Sequence, residues 1–128
     1  MPLLRTGIDL VEISRLETLA PAIRERFLQR VFASEELEVC RGLSASLAGH
    51  FAAKEAVAKA LGCGIGRVGW REIVIRRGNQ GEPVLELRGN ARQIANEQGL
   101  NTWSISISHS RDHAVAVAVA MGDHPSSP

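Results

Sequence analysis

The sequence predicts an α+β fold in which an antiparallel sheet of about five strands packs around one long central helix. Three features predict it. Residues 46–61 form a helical run built largely of small apolar residues and closed by glycines. Two stretches carry the two-residue period of strands and fold back as hairpins, "WREIVIRR" onto "PVLELR" and "TWSISISH" onto "HAVAVAVA". An apolar run from Leu3 to Val11 supplies a further strand.

In chain order, the Leu3–Val11 strand is followed by Ser14 and Glu17, spaced as a capping box that opens helical turns. Pro21 divides these turns from the helical "AIRERFLQR", and a third helical piece starts after Ser34. The long helix comes next, and "GNQG" is the turn of the first hairpin. Asn90 to Gln98, followed by Gly99, reads as a capped helix. In the last hairpin Trp103, Ile105, Ile107 and His109 share one face, while Val alternates with Ala on the return strand. The chain has 128 residues and no solenoid or propeller repeat, so a single domain is expected over residues 1–121, with "GDHPSSP" (122–128) as a disordered tail.

Composition excludes several classes of function. A net charge of +1 and a pI near 7.9 lack the field of a general nucleic-acid binder. Cys40 and Cys63 form neither a CxxC pair nor a cluster with His, so neither a disulfide framework nor a zinc site is indicated, and a reducing cytoplasm is expected. "MPLLRTGIDL" is too short and too interrupted for a signal peptide. No uncharged apolar run reaches membrane-spanning length, so a soluble protein without a membrane partner is expected.

The chemistry is carried by charges in the wrong places. Lys54, Glu55 and Lys59 interrupt a helix with no polar face, Glu55 and Lys59 in one sector and His50 and Lys54 in another. A plain Glu55–Lys59 pair contributes only about 0.2–0.5 kcal/mol. Burying each charge costs several kcal/mol. Either the helix end is partly exposed and the stems reach water, or these charges line a cleft that holds a metal or an anion. Thirteen arginines and two lysines occur in the chain, and both lysines lie in this helix, which favours a compact ammonium that binds an anion or donates a proton. Asp9, inside the apolar "GIDLVEI", is equally out of place. It either caps the following helix or pairs with Glu55, and two carboxylates beside phosphates are a common way to hold Mg²⁺.

Gly64, Gly66 and Gly69 match the dinucleotide-binding G-x-G-x-x-G literally, but they follow a helix and lead into a strand, the reverse of that motif's context. The loop from Gly62 through Ile65 to Gly66 remains a flexible segment able to lie close to a phosphorylated ligand. His109 is either a core histidine or a site residue, and His113 is read as a turn residue.

"GIDLVEI", "AGHFAAKEAVAKALGCGIG", "GEPVLEL" and "SISISHS" resemble, in order and spacing, the holo-acyl-carrier-protein synthases, small bacterial 4′-phosphopantetheinyl transferases. The resemblance implies that family's fold and its reaction. In that reaction 4′-phosphopantetheine passes from coenzyme A to a serine of an apo acyl carrier protein, Mg²⁺-dependently, releasing adenosine 3′,5′-bisphosphate, in fatty-acid or polyketide biosynthesis. It implies that Asp9 and Glu55 hold the metal, that Lys59 neutralises or protonates the leaving phosphate, and that Glu55, directly or through water, receives the serine proton. It places His50, Lys54, Lys59, Gly62, Gly64, Ile65, Gly66, Pro83, His109 and Ser110 around the coenzyme, and Arg15, Arg24 and Arg26 on the carrier-protein docking surface. A homotrimer with clefts shared between subunits is also implied.

His50 departs from the family's usual Arg, which puts a pH-dependent contact where a permanent charge is usual. Two competing functions use the same residues: a non-catalytic module that holds coenzyme A or a carrier protein, and a Mg²⁺-dependent phosphodiesterase with water as nucleophile.

Overall fold

The computed structural model describes residues 1–124 and begins with strand β1 (Pro2–Glu12). Three helices follow, α1 (Ser14–Glu17), α2 (Pro21–Val31) and α3 (Ser34–Cys40), and then the long helix α4 (Ser44–Leu61). A short 3-10 turn at Trp70–Glu72 leads into the β2 (Ile73–Arg77) and β3 (Pro83–Leu87) hairpin. Helix α5 (Gly89–Gln98) and the strands β4 (Leu100–His109) and β5 (His113–Asp123) complete the chain.

The expected five strands divide into a three-stranded antiparallel sheet, ordered β1-β5-β4, and a separate β2-β3 hairpin. The β3 strand comes close to β4, but no ladder joins them. Helix α4 lies across the three-stranded sheet, and its composition explains how closely. Ala52, Ala53, Ala56 and Ala60 of the helix and Ala114, Ala116, Ala118 and Ala120 of β5 are all buried. Alternation along β5 therefore sorts small residues to the helix side and Val115, Val117 and Val119 to the other. Gly7 marks the tightest approach, because a Cβ there would stand 1.9 Å from the carbonyl oxygen of Ala56. Gly7→Ala is expected to lower stability by at least roughly 1–3 kcal/mol, the usual cost of overpacking, measured as a reduced urea midpoint.

Several boundaries differ from expectation for identifiable reasons. Ser14 does not cap α1: the cap position is Ile13, no side-chain cap bond forms, and Thr18 Oγ1 donates to the Ser14 carbonyl. Helix α5 starts one residue early, because its free amide at Asn90 donates to the carboxylate of Glu72 at 2.5 Å rather than to a local cap. Gly122 and Asp123, expected in the tail, belong to β5, where Gly122 pairs with both Leu3 and Leu100. Residues 125–128 of the expected tail lie outside the described residues. Among the described residues no helix is long and apolar enough to cross a membrane.

Candidate active site

Asp9 occupies the helix-facing side of β1 together with Gly7 and Val11, and α4 brings Glu55 and Lys59 to it. The half-exposed Lys59 ammonium donates to Asp9 Oδ1 at 3.1 Å and to the Ile8 carbonyl at 2.8 Å. It therefore turns to Asp9 rather than forming the simple helical pair with Glu55, and Asp9 is not a helix cap. Burial pushes the Glu55 carboxyl above the ordinary carboxylate value, the negative charge of Asp9 adds to the rise, and Lys59 opposes it. Two carboxylates that repel each other at a cleft edge suit a hard cation. Among the described residues no third His, Cys, Asp or Glu joins them.

Lys54 corrects the sequence expectation. The resemblance places it at the coenzyme, but it is wholly buried, and its three protons go to Glu36 Oε1 at 2.6 Å, to the Trp70 carbonyl at 3.0 Å and to the Ile73 carbonyl. Its ammonium also stands 5.5 Å from the centre of the Phe32 ring. Lys54 thus fastens α4 to α3 and to the start of the hairpin, and has nothing left to offer a ligand. Glu36, equally buried, is saturated. It accepts from Ala33 N at 3.1 Å and, through Oε2, from His50 Nδ1 and Ile75 N, both at 3.3 Å. Burial alone would raise the Glu36 carboxyl, but the bond from His50 and the charge of Lys54 hold it below the ordinary value.

His50 looks out from this buried cluster into a cleft of 210 Å³. His109, Pro83, Ser46, Arg76 and Arg77 line the same cleft, so three residues expected around the coenzyme do meet. Ser110 stands at the adjoining β4–β5 turn, where its hydroxyl oxygen accepts from the backbone of His113 at 3.2 Å. The glycine segment lies elsewhere. Gly62 closes α4 with φ of 75°, a value that suits glycine, and Ile65 and Gly66 border a second hollow of 360 Å³ with Arg30, Trp70 and Arg71.

The expected site residues therefore form separate groups on one chain. His50 and Glu55 are five positions apart, which sets them about 140° apart around α4. Sequence reasoning missed Arg76 and Arg77 in the cleft, and it missed Arg5, which shares the Asp9 face of β1 and lies beside Gly62. It also missed Glu36. The signal for that residue was Lys54 itself, since a buried ammonium requires a buried carboxylate, but the partner lies 18 residues away.

Known proteins resemble this chain over nearly its whole length. The sequence pattern of the 4′-phosphopantetheinyl transferase superfamily matches residues 5–118. The holo-(acyl-carrier-protein) synthase of Herpetosiphon aurantiacus is 46% identical over 127 residues, covering 94% of this chain and all of that one (100%). The crystal structure of the Helicobacter pylori holo-(acyl-carrier-protein) synthase in complex with coenzyme A superposes with a TM-score of 0.82 at 35% identity, covering 90% of this chain and 98% of that one. The Bacillus anthracis holo-(acyl-carrier-protein) synthase in complex with CoA (3′,5′-ADP) gives a TM-score of 0.74 at 33% identity over 93% of this chain and 96% of that one.

Proposed function

The chain belongs to the 4′-phosphopantetheinyl transferase superfamily, and on that premise we propose that it transfers 4′-phosphopantetheine from coenzyme A to a serine of an apo acyl carrier protein. The observation that carries the reading is the meeting of Asp9, Glu55 and Lys59 at the junction of β1 and α4. A bond forms between the serine oxygen and the phosphopantetheine phosphorus, the bond from that phosphorus to adenosine 3′,5′-bisphosphate breaks, and the serine proton leaves. Glu55 accepts that proton directly or through a water that it orients, a task for which a raised carboxyl is suited. Lys59 faces the leaving phosphate and neutralises or protonates it. Asp9 and Glu55 would hold Mg²⁺, which when bound supplies positive charge against the pyrophosphate oxygens. The setting we assign is the cytoplasm and fatty-acid or polyketide biosynthesis. Both cysteines are free and buried, as a reducing compartment allows.

Coenzyme A consumption with and without apo carrier protein tests the reading. Consumption only when the carrier is present supports transfer. Hydrolysis without it would indicate the phosphodiesterase, and binding without turnover would indicate the non-catalytic module.

A homotrimer with shared clefts accounts for two further observations. On the outer face of the sheet Leu4, Ile8, Leu10 and Met121 are more than half exposed, at 65%, 59%, 64% and 51%. Leu4 pairs with Met121, Ile8 with Val117 and Leu10 with Val115, making one apolar stripe that a second copy of the chain would cover. A shared cleft also brings the His50–His109 group of one subunit to the Asp9–Glu55–Lys59 group of the next, which a single chain holds on different sides of α4.

The carrier protein would dock on α1 and α2. Arg15 stands at the rim of an apolar cleft of 160 Å³ formed by Val11, Leu16, Leu19, Phe27 and Phe51, beside the Asp9 strand. Arg26 is exposed, whereas Arg24 donates to the Gly42 carbonyl at 3.1 Å and is partly occupied in holding α2 in place. Arg15→Glu and Arg26→Glu are expected to raise the KM for carrier protein several-fold at low salt, with coenzyme A affinity unchanged and the difference shrinking as salt screens it. Equal KM values at low salt would remove these arginines from the docking surface.

A further inference from the structure

Glu36 has hydrogen-bond donors on both carboxylate oxygens. Ala33 N and Lys54 Nζ share Oε1, while Ile75 N and His50 Nδ1 share Oε2. A carboxylate in that position can only accept, so the proton of the His50 contact sits on Nδ1. The other ring nitrogen, Nε2, has no hydrogen-bond partner among the described residues and is the one left for the cleft. A neutral imidazole locked in this way offers an anion a lone pair, which repels it. Only the imidazolium offers an N–H.

We propose that Glu36 is a positioning residue that fixes the His50 proton on Nδ1, so that His50 contacts an anion in the cleft only after taking up a second proton on Nε2. The inference rests on the assignment of this cleft to the adenosine bisphosphate half of coenzyme A. It makes ligand binding and proton uptake one event at this position. The charged neighbours agree with the direction. Lys54, on the same helix, is balanced by Glu36 of α3. Arg76 and Arg77 of β2 and His109 of β4 supply the remaining polar charge around the cleft, and β3 brings only Pro83. Arg76 is already paired with Glu35 and Glu86, whereas Arg77 has no ion-pair partner among the described residues. The cleft therefore attracts an anion before His50 is charged, and the bound anion stabilises the added proton.

Calorimetric titration with adenosine 3′,5′-bisphosphate between pH 6 and 8.5, in buffers of different ionisation heat, tests the inference on the wild type and on His50→Arg. Proton exchange at the ligand phosphate and at the rest of the protein is common to both and cancels in the difference. Near pH 8 the wild type should take up one proton more than His50→Arg. Its affinity relative to that variant should fall as pH rises, by about tenfold per pH unit wherever the free ring is neutral and the bound ring charged. Nitrogen-15 NMR of the ligand-free wild type at pH 8 should show His50 protonated at Nδ1 and bare at Nε2. In Glu36→Gln the amide NH₂ can face Nδ1, and the neutral ring should swing to Nε2–H. The wild-type spectrum decides the matter even where that variant fails to fold. Equal proton uptake by the two proteins, or a neutral wild-type ring protonated at Nε2, would overturn the inference while leaving the coenzyme cleft standing. Failure of the bisphosphate to bind either protein at any pH would overturn both.

Discussion

Glu55→Gln and Asp9→Ala are each expected to reduce phosphopantetheine transfer by at least about 10³-fold, the scale on which a preorganised electrostatic contact at a reacting phosphate acts. Neither loss should come from unfolding, and the sign of the Glu55 shift shows why. Its folded carboxyl is raised above the ordinary value of 4.5, so the folded chain holds the proton more tightly than the unfolded chain does. The resulting stability is fully present below pH 4.5 and is lost as pH rises through the raised value. A glutamine cannot ionise, so Glu55→Gln should be at least as stable as the wild type at pH 7. A second readout is independent of turnover. Mg²⁺ should raise the Tm of the wild type at pH 7 and leave that of Glu55→Gln unchanged, because the ion binds only the folded pair of carboxylates. An Asp9→Ala or Glu55→Gln protein with near wild-type transfer at low Mg²⁺ would dismiss the shared site.

The second large effect concerns stability rather than catalysis. Lys54→Ala and Glu36→Ala should each cost about 3–5 kcal/mol, because each leaves a charge buried without its partner. Lys54→Ala strands the carboxylate that also bonds His50 and the backbone of Ala33 and Ile75, so coenzyme affinity should fall along with the denaturation midpoint. The pH dependence follows from Glu36. Its folded carboxyl lies below the ordinary 4.5, so its stabilising contribution is present above that pH and is lost as pH falls through the lowered value. Urea midpoints measured from pH 7 down to pH 3 should therefore fall for the wild type, and the fall should be smaller in Glu36→Gln. Lys54→Ala with an unchanged midpoint would mean that this ion pair does not hold α3 to α4.

The long helix was the most legible part of the sequence, and it also produced the main misplacement. Its alanines and the Ala–Val alternation of β5 report the close helix–sheet seam directly, because burial there admits little larger than a methyl group. The anomaly of charges within that helix was also legible. In sequence, however, Lys54 and Lys59 interrupt the same apolar run alike, and only the fold buries Lys54 while leaving Lys59 half-exposed. The choice between a structural ammonium and a functional one was made by Glu36 and by the Trp70 and Ile73 carbonyls, all at least 16 residues away. Asp9 and Glu55 were readable as a pair because each is costly alone. The resemblance groups His50, Pro83 and His109 with that pair around one ligand, whereas the fold sets them in a cleft on another side of α4. Arg76 and Arg77 sit on a short exposed stretch of strand, where an arginine is ordinary in a sequence that uses it for nearly every cation.

Mass spectrometry of an apo acyl carrier protein incubated with this protein, coenzyme A and Mg²⁺ addresses the central claim most directly. The account predicts a single mass increment equal to 4′-phosphopantetheine on the carrier. The increment should map to one serine, and an equal amount of adenosine 3′,5′-bisphosphate should be released. An unmodified carrier together with consumed coenzyme A, or a carrier modified at the same rate by Lys59→Ala, would contradict it.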